Sequence, residues 1–173
     1  YVLKNSPDKI DNVNFRTLRD KIKMGAAGPC VDGQAKAYSD GLKMMAHWKY
    51  KDGNDEIDLG IPATWGSDTI FVLDSLSRFS DAAYNWADGI SNNPDKRSVF
   101  YDAQGAVIEA LDLLTSDNFR ANVIVICHIR YMDMPDGSKK GFPQSIGSAI
   151  CVEIPQFFNT FVMVTNKGGK RTL

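Results

Sequence analysis

Two polar groups stand at the ends of apolar runs, and they are the first candidates for chemistry. Thr69-Ile-Phe-Val-Leu73 runs into Asp74 and Ser75, and Asn122-Val-Ile-Val-Ile-Cys127 runs into His128. A carboxylate at the C-terminal end of a buried strand sits where open α/β sheets bind ligands. It can hold magnesium, directly or through water, beside the β- and γ-phosphates of a nucleotide. His128 can hydrogen-bond a γ-phosphate or a positioned water. Each group also has a plainer reading. Asp74 can cap a helix that begins near Ser75, and His128 can end a strand and bond to backbone. Spacing alone leaves these readings open.

A second set follows His128. Arg130, Lys139 and Lys140 are interleaved with Tyr131 and Phe142. Cations track phosphates and aromatic rings stack on bases, which is the minimal kit for single-stranded DNA. Asp133 and Asp136 partly cancel that charge, so a solvated loop is the competing reading. Other candidates are weaker. His47 falls beside the apolar stripe of a helix and reads as a packing or surface residue. Asp52, Asp55, Glu56 and Asp58 match a calcium loop in composition but not in ligand order. Cys30, Cys127 and Cys151 are scattered and read as buried free thiols of a reducing cytoplasm. Two histidines and no C-x-x-C argue against structural zinc.

The elements that must position these groups follow from periodicity. Val13 to Leu18 alternates and predicts a half-exposed strand, and Gly25 to Asp32 predicts a loop whose Asp32 caps the next helix. Apolar spacing predicts that helix over Gly33 to Tyr50. Lys51 to Asp68 reads as a polar loop. Thr69 to Leu73 has no polar alternation and predicts a strand buried on both faces. Helices follow from Leu76 to Gly89 and from Val99 to Leu114, joined by a turn at Ser91 to Asp95. Asn122 to His128 predicts a second buried strand, and Arg130 to Pro143 a loop. Gln144 to Ile150 reads as a turn or short helix, Phe157 to Thr165 as a strand, and Asn166 to Lys170 as a hairpin turn. Asn5 to Asp8 is a turn. Two apolar strands separated by helices imply a parallel crossover. The expected fold class is α/β, a sheet with helices packed on its faces.

The totals agree with one soluble domain. The chain has 173 residues, 43% hydrophobic and 24% charged, with a net charge of −1. That balance excludes a global basic field, so any nucleic-acid contact is local. No apolar run reaches the length of a membrane span and no leader pattern opens the chain.

These residues also carry a resemblance. Ile70-Phe-Val-Leu-Asp74-Ser75 resembles the Walker B strand of RecA-like ATPases, and Val123-Ile-Val-Ile-Cys-His128 resembles the sensor strand that follows it. Gly141-Phe-Pro-Gln-Ser-Ile-Gly-Ser-Ala149 resembles the return from the DNA-binding loop into the sheet. In this order they are similar to bacteriophage AAA-family ATP-binding proteins, relatives of Sak4-type single-strand annealing proteins, over Trp65 to Val164. The resemblance implies a single RecA-like P-loop NTPase-type domain over residues 1–173, with a largely parallel sheet and helices on both faces. It implies ATP and Mg2+ as cofactors, Asp74 as the metal carboxylate with Ser75 beside it, and His128 as the catalytic γ-phosphate sensor. Arg130, Lys139, Lys140 and Phe142 would then contact single-stranded DNA. A homo-oligomer in the host cytoplasm, acting in recombination or annealing, is implied as well.

The chain departs from that family in two respects, one being that no residue upstream of Asp74 matches the family's catalytic glutamate. The other is that no G-x-x-x-x-G-K-[ST] occurs in the chain. Gly25-Ala-Ala-Gly28 has no lysine, and Gly168-Gly-Lys170 lies at the wrong end. That loop supplies the backbone donors and the lysine that hold phosphates. The expectation is an ATPase core lacking its N-terminal Walker A portion, with weak or no hydrolysis alone. The alternative is a non-catalytic DNA- or protein-binding module.

Overall fold

The computed structural model describes residues 12–92, 94–167 and 170–172. The turn expected at Asn5 to Asp8 lies outside them. Three helices make the frame: α1 (Ala37–Ala46), α2 (Leu76–Ile90) and α3 (Lys96–Thr115). Along α3 the buried positions are Val99, Ala103, Ala106, Val107, Ala110, Leu111 and Leu114. That is the repeat of an amphipathic helix. The small residues Ala83, Ala103, Ala106 and Ala110, each at most 8% exposed, let α2 and α3 pack closely. The core then gathers Tyr38, Phe71, Phe79, Leu111, Phe119 and Ile150. The Tyr38 ring lies 5.0 Å from that of Phe79, and Phe71 meets Phe119 edge-on at 5.6 Å.

The strands are short. β1 (Ile22–Gly25) pairs with β2 (Gly28–Val31), β3 (Lys49–Asp52) with β4 (Asp55–Asp58), and β5 (Ile70–Asp74) with β6 (Asn122–Ile126). β7 (Ile129–Asp133) pairs with β8 (Lys139–Pro143), and β9 (Thr165–Lys167) with β10 (Lys170–Thr172). A short helix α4 (Ser148–Glu153) follows β8.

A RecA-like, largely parallel sheet is therefore not what the chain forms. The described strands make five two-stranded sheets, and only β5–β6 is parallel. The reason is connection length. A parallel pair needs a crossover of a dozen residues or more, whereas a tight turn returns the chain antiparallel. Only α2 and α3 supply such a crossover. The stretches read as loops at Gly25 to Asp32, Lys51 to Asp68 and Arg130 to Pro143 contain short turns and close into hairpins instead. Gly53 at φ +61° and Gly137 at φ +79° take the left-handed turn positions of two of them.

Among the described residues helices do not cover both faces of the parallel pair either. Phe71 on β5 is 5% exposed, but Ile70 is 57% and Val72 48% exposed. Ile124 and Ile126 on β6 are likewise exposed. One face of the parallel pair meets the core and the other is open, so the strand read as buried on both faces is buried on one. A continuous apolar run satisfies either arrangement. Val13 to Leu18 forms no strand, and Phe158 to Val164 is irregular, with Phe161 to Val164 exposed. The hairpin at Asn166 to Lys170 is present as β9 and β10.

The cap of α1 also differs. The Asp20 carboxylate, not Asp32, accepts from the backbone N–H groups of Lys36 and Ala37 at 2.7 and 2.9 Å. Asp32 pairs with Lys23 at 2.8 Å. A distant carboxylate has taken the position that a local one was expected to fill.

Two outcomes are expected. In urea unfolding, Asp20→Ala costs about 1 kcal/mol, the usual loss of a cap, and Asp32→Ala costs less than about 0.5 kcal/mol, as an exposed pair should. The second concerns Tyr38. Its hydroxyl donates to the Ala106 carbonyl at 2.8 Å, and burial, with Glu109 adding repulsion, pushes its phenol up to about 12. A raised folded-state value favours the neutral phenol, so its stabilisation is complete below about pH 10 and is lost as pH rises toward 12. Stability of the protein should fall across that window, and Tyr38→Phe should flatten the fall.

Candidate functional site

The register of the parallel pair builds the site. Leu73 is level with Val125 and Asp74 with Ile126. His128 therefore lies two residues past the end of β6, at the same edge of the pair where Asp74 ends β5. The side chains of Asp74 and His128 are both exposed. Neither has a hydrogen-bond or ion-pair partner among the described residues. The Asp74–Ser75 peptide bond is cis.

Ser75 is the residue that caps α2. Its hydroxyl accepts from the Arg78 N–H at 3.4 Å. The cap reading of Asp74 thus passes to its neighbour, and the Asp74 carboxylate is left open. For His128 the division is between backbone and ring. Its N–H donates to the Ser77 hydroxyl at 3.0 Å and its C=O accepts from the Gln144 N–H at 2.8 Å. The backbone is held, while the imidazole is presented to solvent.

A cleft of about 930 Å³ opens beside Asp74, Ser75 and Arg78. It runs between residues 12–18, α1 and β5, with Phe15, Leu18, Trp48, Trp65 and Phe71 in its walls. His128 does not line it. Arg78 was not singled out from the sequence. It pairs with Asp81 at 3.2 Å on the exposed side of α2. Its position three residues after Ser75 was the available signal, since i and i+3 share a helix face.

The β7–β8 hairpin begins at the residue after His128. Its register pairs Arg130 with Phe142 and Met132 with Lys140. Cross-strand partners share a face, so Arg130, Lys140 and Phe142 lie together, and the Lys140 ammonium is 5.6 Å from the Phe142 ring centre. Lys139 is on the opposite face, 3.7 Å from Asp133, its register partner. At the tip, the Asp136 carboxylate accepts from both the hydroxyl and the N–H of Ser138, and those bonds hold it below the usual carboxylate range. The structure thus brings together three of the four residues expected to contact DNA and separates the fourth. Tyr131 goes to the face of Lys139, 61% exposed.

The remaining candidates take structural roles. His47 sits 2.7 Å from Asp58, and that bond, with one from the Gly60 N–H, holds the Asp58 carboxyl below its ordinary range. The acidic run at Asp52 to Asp58 forms β3, β4 and their turn, with Glu56 paired to Lys49 at 2.8 Å. The cysteines are free, as expected, but Cys30 is exposed and only Cys151 is fully buried. Burial pushes the half-buried Cys127 thiol up.

Among the described residues no group of three His, Cys, Asp or Glu side chains gathers to hold a metal. One open carboxylate beside a hydroxyl suits magnesium, which keeps most of its waters and takes substrate oxygens. It does not suit zinc or calcium, which need fuller protein cages. No described helix is long and apolar enough to cross a membrane. Comparisons with family models, curated proteins and solved structures return no match for the chain.

The division of labour at the head of α2 is measurable by urea unfolding. Ser75→Ala should cost about 1 kcal/mol as a lost cap. Asp74→Ala should stay within about 0.5 kcal/mol of the parent, as expected of an exposed residue without partners.

Proposed function

We propose that this chain binds Mg2+ and ATP at the shared end of β5 and β6, and single-stranded DNA on one face of the β7–β8 hairpin. The reading is of a phage-type ATP-binding protein of DNA recombination or annealing, working as a homo-oligomer. One observation carries it. The register that sets Asp74 level with Ile126 brings Asp74, Ser75 and His128 to one edge, and a face bearing Arg130, Lys140 and Phe142 starts directly beyond.

The roles follow from the chemistry of each group. Asp74 would hold the magnesium, with Ser75 beside it, and an ion held there would supply positive charge that offsets phosphate charge. The exposed His128 imidazole would meet the γ-phosphate as a hydrogen-bond donor. On the hairpin, Arg130 and Lys140 would follow the DNA backbone while Phe142 stacks on a base. Lys139, engaged with Asp133 on the other face, is left out of that set.

A non-catalytic version of the same module is favoured by one specific feature, the lack of G-x-x-x-x-G-K-[ST] in the 173 residues. Without those backbone donors and that lysine, the chain by itself should hydrolyse ATP weakly or not at all.

The test is a titration of a fluorescent oligothymidylate with and without Mg·ATP. ATP should change the DNA affinity of the parent chain and have no effect on Asp74→Ala. Arg130→Ala or Lys140→Ala should each lower the salt dependence by about 0.7 in log–log slope, the value for one phosphate contact on a single strand. Lys139→Ala should leave it unchanged. DNA binding that ignores ATP in the parent would select the non-catalytic DNA-binding module, and no DNA binding at all would remove every reading but the protein-binding one.

A further inference from the structure

The strand-end edge and the hairpin are joined by a buried hydroxyl that neither site uses directly. Ser77 lies in the first turn of α2 and is 5% exposed. Its hydroxyl donates to the Gln144 carbonyl at 2.8 Å and accepts from the His128 N–H at 3.0 Å. Gln144 and His128 are the residues that flank the hairpin, one at each end, and they bond each other through the Gln144 N–H and the His128 C=O at 2.8 Å. Three groups therefore close a ring of hydrogen bonds at the hairpin base. Two residues before Ser77, the same helix turn carries Ser75, and then Asp74.

The next helical turn repeats the fastening. Ser80 and Ser145, both buried, share a hydroxyl–hydroxyl bond of 2.7 Å, and Ser80 also donates to the Leu76 carbonyl at 2.8 Å. These two anchor the chain after the hairpin to the middle of α2. Ser77 hydrogen-bonds the residues at both hairpin ends. Ser77 is the buried member of this ring while His128 and Gln144 are exposed, so a shift of the hairpin base would break the two bonds by which its hydroxyl bridges both flanks.

We propose that Ser77 is a positioning residue that locks the hairpin to the head of α2 and thereby couples occupancy of the strand-end edge to occupancy of the hairpin face. The coupling rests on the function proposed above; the mechanical lock does not. Energetic coupling between two sites is reciprocal, so ATP and DNA must change each other's affinity by the same factor.

Two readouts separate the lock from the function. The first is hydrogen–deuterium exchange of the amides from Ile129 to Phe142. Ser77→Ala should speed their exchange at least tenfold with α3 unchanged, and Ser77→Thr, which keeps the hydroxyl, should restore protection. Hairpin exchange that does not respond to Ser77→Ala, or a threonine variant as fast as the alanine one, overturns the lock. The second is the affinity for a fluorescent ATP analogue with Mg2+, measured with and without saturating oligothymidylate. The parent should show a change of at least about fivefold, the lower end of measured couplings. In Ser77→Ala the two affinities should agree within about twofold, and Ser77→Thr should regain the difference. A parent that binds both ligands without mutual effect overturns the coupling. A parent that binds neither overturns the function, and the exchange data still decide the lock.

Discussion

The parallel pairing of β5 with β6 is the constraint on which the rest depends. Two strands can lie parallel only if the chain between them travels back the full length of the pair. Here α2 and α3 make that return, and in doing so they bring a row of alanines, Leu111 and Leu114 against the inner face of the pair. The core is thus a by-product of the crossover. So is the site, because parallel strands end at the same edge, and Asp74 and His128 are what each strand carries past that edge.

The polar groups below the edge show how a small protein holds a hairpin away from its main sheet. The β7–β8 hairpin makes no ladder with β6. It is held through the Ser77 hydroxyl, and the chain just after it through the hydroxyls of Ser80 and Ser145 and the Ser145 N–H, which donates to the Cys151 thiol at 3.4 Å. Hydrogen bonds of this kind are directional, and a buried one that is broken leaves an unpaired group. They fix orientation more tightly than apolar contact would.

Much of the helical frame could be read directly. The spacing of Val99, Val107, Ala110, Leu111 and Leu114 placed α3, and Leu76, Phe79 and Ala83 placed α2, because a buried helix face repeats every three to four residues. The two strand ends were also legible, since apolar runs stop where the chain leaves the core. The hairpins were not. Lys51 to Asp58 and Arg130 to Pro143 are polar, and nothing in composition separates a solvated loop from a solvated hairpin whose pairing is entirely backbone; Lys49 and Tyr50, expected to end the preceding helix, instead open β3. Ile70 and Val72 misled for the opposite reason: they are apolar, yet they face outward.

The sequence by itself determined that polar groups close two apolar strands. Asp74, Ser75 and His128 are identifiable from local pattern alone, because the change from apolar to polar is a one-dimensional signal. What only the tertiary structure decided is how these groups are shared out. It gave the cap of α2 to Ser75 and that of α1 to Asp20, sixteen residues from Lys36 in the chain. It set Lys139 apart from Arg130, Lys140 and Phe142 through a two-residue side-chain period that depends on strand register. It also put both ends of the hairpin on Ser77. Register and long-range hydrogen bonds are choices between segments far apart in the chain, and no local pattern encodes them.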